Sequence, residues 1–181
     1  MPTRLTLRDG RHVLLREICE QDRAGLLAAF ARLSDDARYT RFMAPMRELP
    51  DVMVEQATHP EPGHECALVA VSDGDGKDGG GRLVGGARFV APPGSEVCEF
   101  AITLDDDWHG VGLARGLMTP LIAMARARGY QRMEGFVLAM NTPMRRLARR
   151  LGFTDVACPD DPTVRIVTLP LGEKAAVGGA G

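Results

Sequence analysis

The chain has 181 residues, of which 45% are hydrophobic, and a formal net charge of −2, so it suits one domain with a sizeable core. This charge balance lacks the basic excess of a nucleic-acid-binding protein, and no apolar run approaches the ~20 residues that cross a bilayer. The N-terminal residues also lack the apolar core of a signal peptide, so we expect a cytoplasmic protein.

The first half of the chain is predicted from its hydrophobic periodicity to contain two strands and two helices. In chain order these are a strand at 13–16, a helix from about 20 to 33, a short helix after Pro50 and a strand at 66–71. The first helix is expected to carry one apolar stripe, which consists of Leu26, Leu27, Phe30 and Leu33.

Cysteine and histidine positions predict neither disulfides nor a metal site. The four cysteines are scattered without a Cys-x-x-Cys pair, and we interpret them as small apolar residues. His59, His64 and Cys66 are close in sequence, but they lack a fourth ligand and a regular spacing.

The second half is predicted to continue as an antiparallel meander, because strands at 83–90 and 97–104 follow with short connections. A polar, glycine-rich connector at 73–81 is expected to loop between adjacent strands. A helix then begins near Gly112 and ends at Gly129. The remaining predicted elements are a strand at 132–138, a helix from about Asn141 to Gly152, and terminal strands.

A glycine-rich turn at 109–114 joins the strand at 97–104 to the following helix. Amides at the start of a helix have no intrahelical partner and lie at the positive end of its dipole, so they can bind a pyrophosphate. Gly110 and Gly112 let the backbone approach such a ligand closely. The Rossmann pattern fails, because Arg115 stands where Gly or Ala is needed, and no P-loop sequence is present. A packing turn without a ligand is the alternative that this segment alone leaves open.

Basic residues are concentrated between Trp108 and Phe153, where eight arginines accompany a single acid, Glu134, in a chain that is net acidic. This concentration suits a polyanionic ligand near the glycine turn, whereas the alternative for any one arginine is a solvated helix face. The eight residues are Arg115, Arg126, Arg128, Arg132, Arg145, Arg146, Arg149 and Arg150.

Two motifs resemble the signatures of the GNAT N-acetyltransferase family. Residues 109–114 are similar to its Gln/Arg-x-x-Gly-x-Gly/Ala motif, and residues 141–153 resemble its second motif, an Asn followed at helical spacing by Leu-Gly-Phe. The order of elements over residues 5–171 is also similar to that of the family. Within the family, four segments resemble the acetyltransferase domain of bacterial Pat-type protein-lysine acetyltransferases. These segments are 15–18, 33–34, 38–43 and 99–102.

The resemblance implies an α/β (α+β) GNAT acyl-CoA N-acyltransferase fold, with a mixed, mostly antiparallel central sheet and helices on both faces. It implies a transferase domain at 1–171 and a flexible tail at 172–181. Acetyl-CoA is the implied co-substrate, with its pantetheine arm between the strands at 97–104 and 132–138 and the amide of Ile102 as a donor to the oxyanion. The implied cofactor-binding residues are Ile102, Thr103, Leu104, His109, Gly110, Val111, Gly112, Leu113, Ala114, Arg115, Asn141 and Arg145.

The implied reaction needs a base, because a lysine side chain has a pKa near ~10.4 and is protonated at neutral pH. By resemblance to Pat-type enzymes this base is Glu99, acting directly or through a water and expected to lie partly buried beside Phe100 and Val97. A glutamate at the strand edge that merely faces solvent is the alternative. Two positions depart from the family pattern: His109 stands where Gln or Arg is usual, and Ala148 where many members have a tyrosine that protonates the thiolate.

The acetyl acceptor is the least determined part of this function. Protein lysine is the leading acceptor, ahead of a small amine or polyamine, and the family's acceptor groove corresponds to residues 20–60 and the loop at 92–96. The acidic run at 105–107 is interpreted as a solvated turn rather than a cation site. An acetyl-CoA sensor without transferase activity and a partner-binding domain without cofactor are the alternatives, and the sequence is compatible with a homodimer. The candidate groove walls are Tyr39, Arg41, Phe42 and Met43.

Overall fold

A single mixed sheet runs through the computed structural model, which describes residues 2–74 and 81–172. In this part of the chain the sheet has eight strands in the order β1-β2-β3-β4-β5-β6-β8-β7, and all neighbours are antiparallel except β5 and β6. The strands are β1 Thr3–Thr6, β2 His12–Glu17, β3 Glu65–Ser72, β4 Leu83–Val90, β5 Val97–Leu104, β6 Arg132–Leu138, β7 Thr154–Ala157 and β8 Val164–Pro170. The predicted antiparallel meander of β3, β4 and β5 is confirmed.

Helices cover both faces of the sheet, as the resemblance implies. The first three pack on the face that carries Ala67 and Val69 of β3, and the last two pack on the opposite face, beneath Phe89 and Phe100. The helices are α1 Arg23–Arg32, α2 Asp35–Phe42, α3 Asp51–Thr58, α4 Leu113–Ala127 and α5 Thr142–Arg150. None of the helices in the described residues is long and apolar enough to cross a membrane.

The apolar face of α4 forms the centre of the main core, as its residue spacing predicts. Leu113, Leu117 and Leu121 are completely buried, and Met124 packs beside them with partial exposure. A 3-10 turn at Asp106–Trp108 and the glycine turn join β5 to α4, so this packing also fixes the position of the glycine turn.

Two elements were not predicted from the sequence. The strand β1 contains a single large apolar residue, Leu5, and therefore shows no hydrophobic pattern of its own; its partner β2 stabilises it by antiparallel pairing. Half of the residues of the helix α2 are charged, and its start is marked by Ser34, whose hydroxyl accepts a hydrogen bond from Ala37 N–H at 3.2 Å. This capping serine followed by two aspartates is the local signal that could have located the helix.

The helix predicted from residue 20 begins at Arg23 instead, after a 3-10 turn at Glu20–Asp22. The carboxylate of Asp22 accepts a hydrogen bond from Cys19 N–H at 2.9 Å and binds Arg16 at 2.6 Å, which holds this tighter turn in place. Leu27 is 39% exposed, so the predicted apolar stripe is wrong at this position; Phe30 and Leu33 are the residues of the stripe that are buried.

The connector predicted at 73–81 joins adjacent antiparallel strands, β3 and β4, as expected. Its residues 75–80 lie outside the described part of the chain, as do residues 173–181 of the predicted tail. The residues on the two sides of the connector are hydrogen-bonded to each other, since Ser72 N–H donates to Arg82 O at 2.9 Å.

Candidate functional site

The glycine turn leaves a row of backbone donors free at the start of α4. Gly110 and Gly112 have φ angles of 74° and 96°, the left-handed region that favours glycine, and Gly112 is the N-cap residue of the helix. The first amide to bond back into the helix is that of Gly116, which donates to Gly112 O at 3.0 Å. Within the described residues, the amides of 110–115 donate to no protein acceptor. These amides fit the diphosphate of a CoA thioester.

The hairpin between β1 and β2 packs on this turn and holds it in shape. Arg8 N–H donates to Val111 O at 3.1 Å, and the Arg11 guanidinium donates to Asp107 O at 2.9 Å while lying 3.9 Å from the centre of the Trp108 ring. The contact between this hairpin and the turn has no signal in the sequence, because about a hundred residues separate the two and no local pattern links them.

We predict that Gly112→Ala weakens CoA binding about 10-fold. An alanine at φ 96° is strained by about 1–2 kcal/mol, and its new methyl group would lie 3.7 Å from Nε of Arg8. Gly129→Ala is the matched control, since Gly129 has φ 82°, nothing within 4 Å and a position at the far end of α4. Isothermal titration calorimetry with CoA compares the two; equal affinities would contradict the assignment of the turn.

The strands β5 and β6 separate beyond a short parallel ladder. Their pairing runs from Val97 with Arg132 to Glu99 with Glu134, and within the described residues no ladder joins them further along. The next residue, Phe100, places its ring over Gly135, where an added Cβ would lie 2.3 Å from the ring. The separation that the resemblance implies between these strands is therefore confirmed.

Main-chain polarity decides which β5 residues face the gap. Asp105 N–H donates to Val84 O at 2.9 Å, and the β4–β5 register is regular, so the odd-numbered residues of β5 bond to β4. The amides and carbonyls of Ile102 and Leu104 therefore point toward the gap. The prediction for Thr103 needs correction, because its main-chain groups pair with Gly86 of β4.

Glu99 lies at the end of the β5–β6 ladder, on the sheet face covered by α1, α2 and α3. It is exposed rather than partly buried, which corrects the sequence expectation; the buried neighbours Cys98 and Phe100 point to the opposite face. Its charge acts on Arg41 of α2: burial and the charge of Arg88 lower the pKa of Arg41, Glu99 opposes both, and together they bring it to about 10. Glu99 thus belongs to a charged group between β5 and α2.

A cavity of about 150 Å³ lies between the first three helices and the sheet, next to this charged group. Arg41 and Phe42, two of the predicted groove walls, line it together with Phe30 and with Ala101 and Thr103 of β5. The Phe42 and Phe30 rings pack edge to face at 5.9 Å. Tyr39 is 45% exposed, and neither it nor Met43 lines this cavity.

The acidic run at 105–107 is only partly the solvated turn that was expected. Asp105 is buried, and it accepts a hydrogen bond from Arg32 Nε at 3.0 Å, while the same guanidinium donates to Leu83 O at 2.5 Å. Asp106 and Asp107 are exposed. Asp105 therefore ties α1 to the end of β5.

Asn141 and Arg145 support the fold near α5. Asn141 Oδ1 caps the helix by accepting from Met144 N–H at 3.2 Å, and its side-chain NH₂ donates to no described residue. Arg145 binds the buried carboxylate of Asp155 at 2.9 Å and donates to Ala139 O at 2.8 Å, so its guanidinium supports the fold, and its contact with a cofactor stays a prediction.

Three arginines surround Asp155, whose side chain is 3% exposed. Burial raises the pKa of Asp155, but hydrogen bonds from Arg165, Arg145 and Arg149 outweigh burial and lower it to about 2. Four of the eight arginines in the basic concentration are therefore bound within the protein. Arg145 and Arg149 bind Asp155, Arg132 pairs with Glu134, and Arg128 donates to Glu65 O. The positive charge available to a ligand is accordingly smaller than the sequence count indicates.

The two departures from the family pattern differ in exposure. His109 is exposed at the start of the glycine turn, and Ala148 is completely buried in the main core. A tyrosine at position 148 would therefore have to fit within the packed core.

Comparison with known proteins defines the class to which this fold and site belong. Residues 12–154 match the family model described as an acetyltransferase (GNAT) domain, so the chain belongs to the GNAT family. It is 37% identical over 166 residues to the acetyltransferase PA5475 of Pseudomonas aeruginosa, covering 92% of this chain and 88% of that protein.

Within the family the chain is close to the Pat-type enzymes. The solved GNAT domain of S. lividans PAT superposes with a TM-score of 0.82 at 26% identity, covering 93% of this chain and 96% of that domain. The fold is shared with the yncA protein of Salmonella typhimurium, solved with its cofactor acetyl-CoA, at a TM-score of 0.68 and 21% identity over 93% of this chain and 99% of that one. As a member of the GNAT acetyltransferases, the chain is an acetyltransferase that uses acetyl-CoA.

Proposed function

We propose that the protein transfers the acetyl group of acetyl-CoA to the side-chain amine of a protein lysine, with Glu99 as the general base. The observation that carries this proposal is the position of Glu99. It stands at the last rung of the β5–β6 ladder, exposed on the face opposite α4, so a carboxylate lies where the gap between the strands opens toward the α1–α3 face. An amine arriving from that face would meet Glu99 before it reached the gap.

The cofactor side of this proposal rests on backbone donors. Acetyl-CoA supplies an acetyl group activated as a thioester. The free amides of Gly110, Val111, Gly112, Leu113 and Ala114 bind its diphosphate, and His109 and Arg115 flank them. The Ile102 carbonyl and the main-chain groups of Leu104 pair with the pantetheine amides as an added strand would, and Asn141 donates its side-chain NH₂ toward the pantetheine arm.

The acceptor side combines a base with an oxyanion donor. Glu99 takes the proton that the amine must lose, directly or through a water. The Ile102 amide, which points into the gap, donates to the oxygen that becomes negative when the carbonyl is attacked. Because Ala148 provides no acid, the sulfur leaves as a thiolate; a thiol pKa of about 8.5 makes it an acceptable leaving group.

We assign residues 1–171 to the transferase domain and the reaction to the cytoplasm, where acetyl-CoA and protein lysines are both available. Glu99, Arg41 and Arg88 form a charged group beside the cavity, and this group favours a polar acceptor that approaches from the α1–α3 face of the sheet.

The test is a calorimetric titration with acetyl-CoA, followed by a mass-spectrometric screen of acceptors. The screen includes lysine peptides, polyamines and small amines, each with and without enzyme. Acetylated lysine peptides support the proposal, whereas turnover of polyamines alone replaces its acceptor. Acetyl-CoA binding with no acetylated acceptor favours a sensor module, and absence of binding rejects the cofactor site.

A further inference from the structure

The β1–β2 hairpin brings an uncommitted guanidinium to the glycine turn. Arg8 is exposed, and its side chain forms no hydrogen bond or ion pair with any described residue. Its Nε nonetheless lies beside Gly112, 3.7 Å from the point where a Cβ would be on that glycine. The backbone anchors it there, because Arg8 N–H donates to Val111 O at 3.1 Å.

The neighbouring arginine of the hairpin, Arg11, differs from Arg8 because its guanidinium is bound. The Arg11 guanidinium binds Asp9 at 2.6 Å, donates to Asp107 O at 2.9 Å and stacks on Trp108 at 3.9 Å. Arg11 therefore fastens the hairpin to the turn. Arg8 shares the same hairpin but has its charge unused.

The surroundings of Arg8 suit an anion. A groove of about 770 Å³ reaches Gly112, and Arg8 and Arg115 both line it. The turn itself contributes only backbone dipoles, since residues 109–114 contain no lysine or arginine. A diphosphate bound to those amides would keep charge that a guanidinium can neutralise through two parallel hydrogen bonds.

We infer that Arg8 is a further binding residue for acetyl-CoA and that its guanidinium pairs with the diphosphate held at the glycine turn. This inference rests on the proposed placement of the diphosphate at residues 110–114. The β1–β2 hairpin thereby has two tasks: Arg11 holds the turn in its binding conformation, and Arg8 supplies the charge that the turn lacks.

The test compares Arg8→Ala with three ligands in isothermal titration calorimetry: CoA, dephospho-CoA, which keeps the diphosphate but lacks the 3′-phosphate, and pantetheine, which lacks all phosphates. We expect Arg8→Ala to weaken CoA and dephospho-CoA by the same factor, about 10-fold, and to leave pantetheine unchanged. Arg8→Lys should restore part of the affinity, because it keeps the charge but not the paired geometry. Arg4→Ala is the control, as Arg4 lies on β1 and pairs with Asp73.

Three results would overturn the inference. The first is an unchanged affinity of Arg8→Ala for CoA. The second is a loss of affinity for CoA but not for dephospho-CoA, which would assign Arg8 to the 3′-phosphate. The third is an equal loss of affinity for pantetheine, which would make the role of Arg8 structural. Failure of the unaltered protein to bind CoA would reject the proposed cofactor site itself, so the two failures are distinguishable.

Discussion

Replacing Glu99 with glutamine is expected to lower kcat at pH 7 by about 10² to 10³-fold while leaving acetyl-CoA affinity unchanged. Glutamine keeps the size and exposure of the side chain but cannot take a proton from the amine. The loss should shrink as the pH rises. Below the lysine pKa of ~10.4, each increase of one pH unit raises the fraction of neutral amine about tenfold, so less of the reaction depends on a base. Steady-state rates between pH 7 and 9.5, with the acceptor found in the screen, measure both effects.

The control for this variant is Glu134→Gln, which alters the other carboxylate at the end of the same ladder. Glu134 is the β6 partner of Glu99 and binds Arg132 at 2.8 Å. This variant therefore tests whether removing any negative charge at this point of the sheet lowers the rate. Full activity of Glu134→Gln with loss in Glu99→Gln supports a base at position 99. Equal rates for Glu99→Gln and the unaltered enzyme would show that another group or water takes the proton.

Replacing Asp155 with asparagine is expected to give the largest loss of stability, about 3 kcal/mol in the free energy of unfolding. The change leaves three arginines, at 145, 149 and 165, without the buried carboxylate that they share. Partial exposure of these arginines lets water replace some of the lost interaction, which places the effect at the lower end for broken buried ion pairs. Asp160→Asn, an exposed acid in the loop after β7, is the matched control in urea unfolding.

The same carboxylate predicts how stability depends on pH. The pKa of Asp155 is lowered from 3.8 to about 2, so its contribution to folding is complete above about pH 5 and is lost as the pH falls toward 2. A shift of this size corresponds to about 2 kcal/mol. Unfolding curves of the unaltered protein and of Asp155→Asn should therefore converge between pH 5 and 2. Parallel curves over that range would argue against the network.

Much of this architecture follows from local patterns. The strands at 83–90, 97–104 and 132–138 coincide with β4, β5 and β6, because each is a short apolar run bounded by glycine, proline or polar residues. The helix α5 begins where Asn141 and a first-turn proline predict it, and Asn141 does cap it. Elements with no such signal, above all β1, exist only because a partner strand completes their hydrogen bonds.

The features of the site also differ in whether local sequence predicts them. The free amides at 110–114 could be predicted, since a glycine turn before a helix creates unpaired donors wherever it occurs. The exposure of Glu99 could not, because strand alternation indicates two faces but does not say that α1, α2 and α3 leave this part of one face open. The commitment of Arg145 to Asp155 was equally invisible, since a charge count cannot tell a bound arginine from a free one.

The sequence by itself determined the family, the order of most elements and the backbone turn for the diphosphate, because these depend on residues that are neighbours in the chain. Tertiary structure alone decided which β5 amides face the gap, which arginines remain available and that Arg8 stands beside Gly112. Those features arise from contacts between segments far apart in sequence, and their geometry is set by packing and strand register rather than by local composition.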